Sequence, residues 1–136
     1  MPNTQTDLNR RRLYSVYQRI KHSKCCDEWK LDSNSFYSWY KRRLIEQKNK
    51  CSYCELKVPE ILKLYQRKSF RKGRRGLHLE VDRKHCDRPY SPDNCVLACY
   101  PCNNAKSDVF SYNEFKQIGQ AIRLVKNKSH LSHLSV

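Results

Sequence analysis

Residues 77–108 read L-H-L-E-V-D-R-K-H-C-D-R-P-Y-S-P-D-N-C-V-L-A-C-Y-P-C-N-N-A-K-S-D, and the fold assignment rests on this segment. Apolar and polar residues alternate from position 77 to Asp82, which predicts a strand with one buried face. Pro89 and Pro92 mark a loop, and residues 95–99 predict a second strand. The chain from Tyr100 onward is predicted to turn into a helix. This order indicates a β-hairpin followed by a helix.

Two Cys-x-x-Cys knuckles, separated by 44 residues, predict a metal site made from Cys51, Cys54, Cys99 and Cys102. Four thiolates form a closed tetrahedral site for Zn²⁺ and leave no open position, so this zinc is predicted to be structural. Because the second knuckle leads directly into a helix, a treble-clef arrangement is expected. Reduced core cysteines or disulfides are the alternatives. We expect removal of the metal to unfold the domain.

Four cysteines lie outside the knuckles. Cys95 falls on the second predicted strand, while Cys25 and Cys26 lie beside Trp29, a predicted core anchor. These three are assigned to core packing. A second metal site that combines Cys25, Cys26 or Cys86 with a histidine is the weaker alternative.

The composition favours a nucleic-acid partner. The 136 residues include 28 Lys and Arg against 13 Asp and Glu, which gives a net charge of +15. A domain this basic repels itself unless a polyanion is near. No apolar run approaches the length of a membrane span, and the N-terminus lacks the apolar core of a signal peptide. We therefore expect an intracellular protein that does not bind membranes, whose eight cysteines serve metal binding before disulfides.

Helical periodicity surrounds the hairpin. Helices are predicted over residues 6–22, from a cap at Ser33 or Ser35 to residue 47, from Pro59 onward, and after a Ser111–Glu114 capping box. We expect an α+β fold in one compact domain, with a helical DNA-contacting segment at 1–50, a zinc-stapled core at 51–126 and a polar tail at 127–136, to which no structure is assigned. The predicted buried faces are Leu13, Val16, Tyr17 and Ile20; Phe36, Trp39, Tyr40 and Leu44; and Phe115, Ile118, Ile122 and Val125.

The combined pattern V-D-R at 81–83, Y-S-P-D-N at 90–94 and L-A-C-x-x-C-N-x-x-K-S-D at 97–108 resembles the HNH (ββα-metal) endonuclease family. It is especially similar to small phage and intron homing endonucleases and to PacI-like restriction enzymes. The resemblance covers residues 51–125, with a weaker match at C-D-E-W and F-Y-S-W-Y upstream. It implies a mainly helical domain around a ββα-metal core that hydrolyses phosphodiester bonds of double-stranded DNA with Mg²⁺ or Mn²⁺.

Three residues have expected roles at the catalytic cation site of such an endonuclease. Asp82 ends a strand, and its hard carboxylate suits Mg²⁺ or Mn²⁺. By resemblance, Asn103 supplies the second protein ligand, and Asn94, expected opposite Asp82, braces the loop and orients the general base. The alternatives are a solvated carboxylate for Asp82, a helix N-cap for Asn103 and a turn residue for Asn94.

The sequence leaves the identity of the general base open. The family usually carries a histidine directly after the metal aspartate, whereas this chain has Arg83. An arginine does not release its proton near neutral pH, but it can clamp a phosphate as a bidentate donor. The base candidates are His85, then His22 and His78, with Tyr90 or a hydroxide on the cation as further alternatives.

DNA contacts are predicted for basic clusters at 10–12, 41–43 and 67–75. The named candidates are Arg71, Lys72, Arg74 and Arg75, together with Lys106, whose alternative is a solvated lysine. Both a homodimer and a nicking monomer fit the sequence. The alternative functions are a non-catalytic zinc-stapled nucleic-acid-binding module and a nonspecific toxin-like nuclease.

Overall fold

The computed structural model describes residues 4–22, 29, 32–67 and 78–134. This part of the chain forms α1 (Thr4–Lys21), α2 (Ser33–Glu46), α3 (Val58–Arg67), β1 (Glu80–Arg83), β2 (Cys95–Ala98), α4 (Tyr100–Lys106) and α5 (Tyr112–Leu134). The α+β class, with helices around a two-stranded hairpin, is confirmed. Within these ranges, no helix combines the length and apolar character needed to cross a membrane. Cys25, Cys26 and the basic residues 71–75 lie outside the described residues.

The hairpin is antiparallel and short, with four residues in each strand. Asp82 lies opposite Val96, so the expectation that Asn94 faces Asp82 is wrong. Asn94 instead lies beyond the strand end, where its carbonyl accepts from the Lys84 amide at 2.6 Å. The first strand begins at Glu80, later than the alternation suggested.

A side chain covers the outer edge of β2. The Leu97 amide donates to Gln47 Oε1 at 3.0 Å, and Gln47 Nε2 donates to the Leu97 carbonyl at 2.9 Å. The Ser52 amide donates to the same carbonyl at 3.0 Å. Because an exposed strand edge needs partners for its backbone groups, these contacts replace a third strand. They also fasten the first knuckle to the hairpin.

Aromatic packing joins α1 and α2. Phe36 and Trp39 lie against Trp29, with ring centroids 5.2 and 4.7 Å away. The Tyr17 hydroxyl donates to the Trp29 carbonyl at 2.7 Å. The predicted faces of both helices and the core position of Trp29 are confirmed, since Leu13, Tyr17, Ile20, Trp29, Phe36, Trp39 and Tyr40 are buried while Val16 and Leu44 pack against them.

Both predicted caps of α2 are wrong. The N-cap is Asp32, whose carboxylate accepts from the Asn34 amide at 3.0 Å and the Ser35 hydroxyl at 2.6 Å. This hydroxyl contact lowers the pKa of Asp32. A carboxylate accepts from the first free amides of a helix as well as a serine hydroxyl does, which is why both residue types are favoured there.

The last helix begins as predicted and ends later than predicted. The Ser111 amide donates to Glu114 and the Glu114 amide donates back to the Ser111 hydroxyl, which confirms the capping box. Phe115 is fully buried, but Val125 is 60% exposed, so its assignment to the buried face is wrong. The polar tail, to which the sequence assigned no structure, is largely helical, because the helix continues to Leu134. Residues 126–134 contain no glycine or proline that would end it.

Candidate active site

The two knuckles come together as one four-cysteine cluster. The sulfur atoms of Cys51, Cys54, Cys99 and Cys102 all lie within 4.8 Å of one another, and all four residues are buried. Cys54 Sγ and Cys99 Sγ are 3.7 Å apart. Four sulfurs at about 2.3 Å from one ion are separated by roughly 3.8 Å along each tetrahedral edge, whereas a disulfide needs about 2.05 Å. The cluster therefore fits a tetrahedral metal ion and not a pair of disulfides.

The other described cysteines do not join this cluster. Cys95 is fully buried on β2, and burial raises the pKa of its thiol to about 12. Its thiol is therefore protonated, and the assignment of Cys95 to core packing is confirmed. Cys86 is exposed in the hairpin loop, where its thiol lies 3.6 Å from the Asp108 carbonyl oxygen.

Asp82 is buried at the end of the hairpin, with 7% of its surface exposed. Its Oδ2 accepts a hydrogen bond from the Tyr53 hydroxyl. Burial raises the pKa of this carboxyl, while Tyr53, Lys106 and Arg83 act in the opposite direction. A solvated strand-end carboxylate is therefore the wrong interpretation. A buried carboxylate of this kind is best kept ionised by positive charge close to it.

Lys106 supplies one such charge. Its Nζ lies 3.3 Å from Asp82 Oδ2 and 3.4 Å from Oδ1, and it donates to the Arg83 carbonyl at 2.8 Å. Only 1% of Lys106 is exposed, so the alternative of a solvated lysine is wrong. Lys106 lies on α4, one turn after Asn103, and its ion pair with Asp82 joins α4 to β1.

A cavity of about 110 Å³ opens beside this pair. The Asn103 amide nitrogen donates to Glu80 at 3.0 Å, which leaves the amide oxygen as the atom that could ligate a cation. Asn103 is the fourth residue of α4, so it is not the N-cap. The cavity is lined by Val81, Asp82, Arg83, Cys86, Tyr90, Asn103, Lys106, Ser107 and Asp108.

Arg83 reaches the same cavity from the end of β1. Its guanidinium carbon lies 4.9 Å from the centre of the Tyr90 ring, and Nη1 donates to the Arg88 carbonyl at 3.2 Å. A longer ion pair, 3.9 Å, joins Nη2 to Asp108. The side chain is 17% exposed. An arginine placed in this way can offer its remaining donors to an anion that enters the cavity.

Asn94 ties together the loop between the strands. Its Oδ1 accepts from the His85 amide at 3.1 Å. Its Nδ2 lies 3.0–3.3 Å from the carbonyl oxygens of His85, Arg88 and Pro89. One buried side chain therefore fixes both ends of the loop that follows Asp82.

The structure separates the histidine candidates from the cavity. His85 is exposed on the loop, His22 is exposed at the end of α1, and His78 is half-buried before β1. Among the residues that the structure describes, the cavity wall contains no histidine, while Tyr90 contributes to it. The predicted DNA contacts at Arg71, Lys72, Arg74 and Arg75 lie outside the described residues.

Sequence reasoning missed Tyr53. The residue lies between the cysteines of the first knuckle and is 2% exposed, and its hydroxyl reaches Asp82, 29 positions later. Burial and the charge of Asp82 raise the pKa of Tyr53, so its hydroxyl stays a donor. An aromatic residue inside a metal knuckle was the available signal, but its partner depends on how the knuckle packs on the hairpin.

Comparison with known proteins identifies relatives of this architecture. No protein-family model matches the chain. A protein of the SPbeta prophage of Bacillus subtilis (strain 168), named YoqL and described as an HNH endonuclease, is 33% identical over 91 residues, which are 62% of this chain and 36% of that protein. The chain thus spans about a third of the length of that relative. The structure of the rare-cutting HNH restriction endonuclease PacI aligns with a TM-score of 0.63 and 28% identity, covering 83% of this chain and 78% of PacI.

Proposed function

We propose that this chain, which is similar to the HNH endonucleases YoqL and PacI, is a metal-dependent endonuclease that hydrolyses phosphodiester bonds in double-stranded DNA. The observation that carries the proposal is the shared cavity of Asp82, Arg83 and Asn103 at the end of the hairpin. A binding module without catalysis would need the cysteine cluster and the positive charge. It would have no use for a buried carboxylate and an amide oxygen beside an anion-binding arginine.

The donor set fits a hard divalent cation. The carboxylate of Asp82 and the amide oxygen of Asn103 are ligands that suit Mg²⁺ or Mn²⁺, and the four thiolates suit Zn²⁺. When bound, the Mg²⁺ or Mn²⁺ ion would stabilise negative charge on the scissile phosphate and the leaving oxygen. A reduced thiolate cluster also favours an intracellular location.

The chain's own residues have distinct tasks in this proposal. Arg83 binds the phosphate and holds it in the cavity, because its guanidinium can pair two donors with two phosphate oxygens. Asn94 keeps the loop in place. The base that accepts the proton of the attacking water is sought among His85, His22, His78 and Tyr90, and of these four Tyr90 lines the cavity. Single His85→Ala, His22→Ala, His78→Ala and Tyr90→Phe variants should show one large loss of turnover, which identifies the base.

Cleavage of supercoiled plasmid in Mg²⁺ tests the function. We expect the wild-type protein to nick or linearise the plasmid and Asp82→Asn to abolish this, since the amide lacks the charge that binds the cation. Gel-shift binding should survive in the variant. Asp93→Asn, which changes an exposed carboxylate in the same loop, is the matched control and should cut normally. If Asp82→Asn cuts like the wild type, the enzyme proposal is wrong.

Two further measurements address substrate and assembly. The net charge of +15 predicts that binding weakens steeply with salt, because each neutralised phosphate releases counterions. Sequencing the product ends distinguishes symmetric cutting of both strands, as a restriction-type homodimer would give, from the single nicks of a homing-type monomer.

A further inference from the structure

Tyr53 contacts both the first knuckle and α5. Its amide donates to Cys51 Sγ at 3.4 Å, so its backbone belongs to the metal cluster. Its ring packs edge-on against Phe115, with centroids 5.2 Å apart, and lies 5.6 Å from the Tyr112 ring.

Gly119 brings α5 directly onto the Tyr53 backbone. A Cβ atom at position 119 would overlap the Tyr53 carbonyl oxygen, more closely than any side chain tolerates. The contact is therefore closed to any larger residue. This backbone contact and the ring contacts together fix the position of Tyr53 relative to the cysteine cluster.

The Tyr53 hydroxyl touches the carboxylate of Asp82 and does not line the cavity. Oδ2 of Asp82 accepts from Tyr53 and faces Lys106 at 3.3 Å, whereas among the described residues Oδ1 has only the Lys106 contact, at 3.4 Å. The less occupied oxygen is thus Oδ1. Tyr53 is consequently placed to orient the carboxylate, and any effect on a substrate would pass through Asp82.

We propose that Tyr53 is a positioning residue that transmits the geometry of the cysteine cluster to Asp82, so that Oδ1 is presented to the divalent cation. This inference rests on the proposed function, because it concerns the same cation site. Hydrogen-bond partners of metal ligands commonly change metal affinity by about 10–100-fold when removed. The cysteine cluster would then act on catalysis as well as on stability.

Binding of Mn²⁺, followed by electron paramagnetic resonance on the zinc-loaded protein, tests the proposal. Tyr53→Phe keeps the ring and removes the hydroxyl, so we expect Mn²⁺ affinity to fall by about 10-fold or more. Zinc content should stay at the wild-type level. The Mg²⁺ concentration for half-maximal cleavage should rise by a similar factor, with turnover at saturating Mg²⁺ within a few-fold of wild type.

Tyr17→Phe is the matched control, since it removes a hydroxyl that is also buried and also hydrogen-bonded, but in the α1 core. It should bind Mn²⁺ like the wild type. Phe115→Leu is a second variant that keeps the Tyr53 hydroxyl and loosens its ring, and it should weaken Mn²⁺ binding to a smaller extent. If Tyr53→Phe loses its zinc, Phe115→Leu provides the test of the proposal instead.

The outcomes separate this inference from the proposed function. If Asp82→Asn and wild type bind Mn²⁺ alike, the cation site of the proposed function is wrong. If Asp82→Asn loses Mn²⁺ but Tyr53→Phe and Phe115→Leu keep wild-type affinity, the positioning role is wrong and the function stands. Normal Mn²⁺ affinity with a collapse of turnover in Tyr53→Phe would also overturn the positioning role, because the hydroxyl would then act on the reacting atoms.

Discussion

Replacement of Lys106 by methionine should be unusually destabilising for a single lysine substitution. Methionine keeps most of the apolar stem but removes the ammonium that lies 3.3 Å from Asp82 Oδ2. At that separation, and with an effective dielectric constant of about 20, the attraction between unit charges is about 5 kcal/mol. Loss of one partner from a buried pair typically costs about 3–5 kcal/mol, because the other charge stays buried without compensation. We therefore expect a loss of about 3–5 kcal/mol from the free energy of unfolding.

Urea denaturation of zinc-loaded protein without added magnesium measures this loss. The double variant Lys106→Met/Asp82→Asn removes both charges and should recover most of the stability, since replacing a whole buried pair is often close to neutral. Lys63→Met, at an exposed position on α3, is the control and should stay within about 0.5 kcal/mol of wild type. The electrostatic argument is refuted if Lys106→Met costs less than about 1 kcal/mol, or if the double variant is no more stable than the single one.

Three other predictions concern the zinc, the loop and α5. Chelating the zinc should unfold the domain, because apparent binding free energies of about 10–16 kcal/mol exceed the usual stability of a domain; a full helical circular-dichroism signal after chelation would contradict this. Asn94→Ala should cost about 1–3 kcal/mol in urea denaturation and reduce plasmid cleavage further than that loss explains, because the loop beside Asp82 loses its brace. Cleavage at the wild-type rate would argue against this role. Gly119→Ala should lower the thermal midpoint despite the better helix propensity of alanine, since its Cβ would meet the Tyr53 carbonyl; an unchanged midpoint would show that α5 can shift freely.

The features of the fold that depend on residues close together in the sequence, such as helix faces and a helix cap, could be predicted. The faces of α1 and α2 follow the 3.6-residue period, and the Ser111–Glu114 box needs only residues three apart. The two knuckles could be assigned to one metal site, because four thiolates in a basic chain that is poor in apolar residues are best explained by metal binding. Boundaries were less accurate, since Asp32 competes with two nearby serines for the cap of α2.

Contacts between distant segments were the part that sequence could not provide. Lys106 was placed correctly one turn after Asn103, but its burial depends on how closely α4 approaches β1. Tyr53 is one of nine tyrosines, and nothing in its immediate sequence indicates that its hydroxyl meets Asp82. His85 was chosen because it closely follows Asp82, His22 because of the family resemblance and His78 because of its strand parity. Among the described residues, none of the three lines the cavity, since the cavity wall depends on how distant segments pack.

The size of the hairpin explains why these distant contacts matter for function. Two strands of four residues are not stable alone, since an isolated two-stranded hairpin is marginal in water at best. The hairpin is therefore supported from outside the sheet: Tyr53 and Lys106 contact the Asp82 carboxylate, and Gln47 holds the edge of β2 at Leu97. Because Tyr53 lies within the first knuckle, the proposed positioning role makes the direction of the Asp82 carboxylate depend on the geometry of the cysteine cluster. It follows that a change in the cluster that keeps its metal and leaves the domain folded should still alter cation binding.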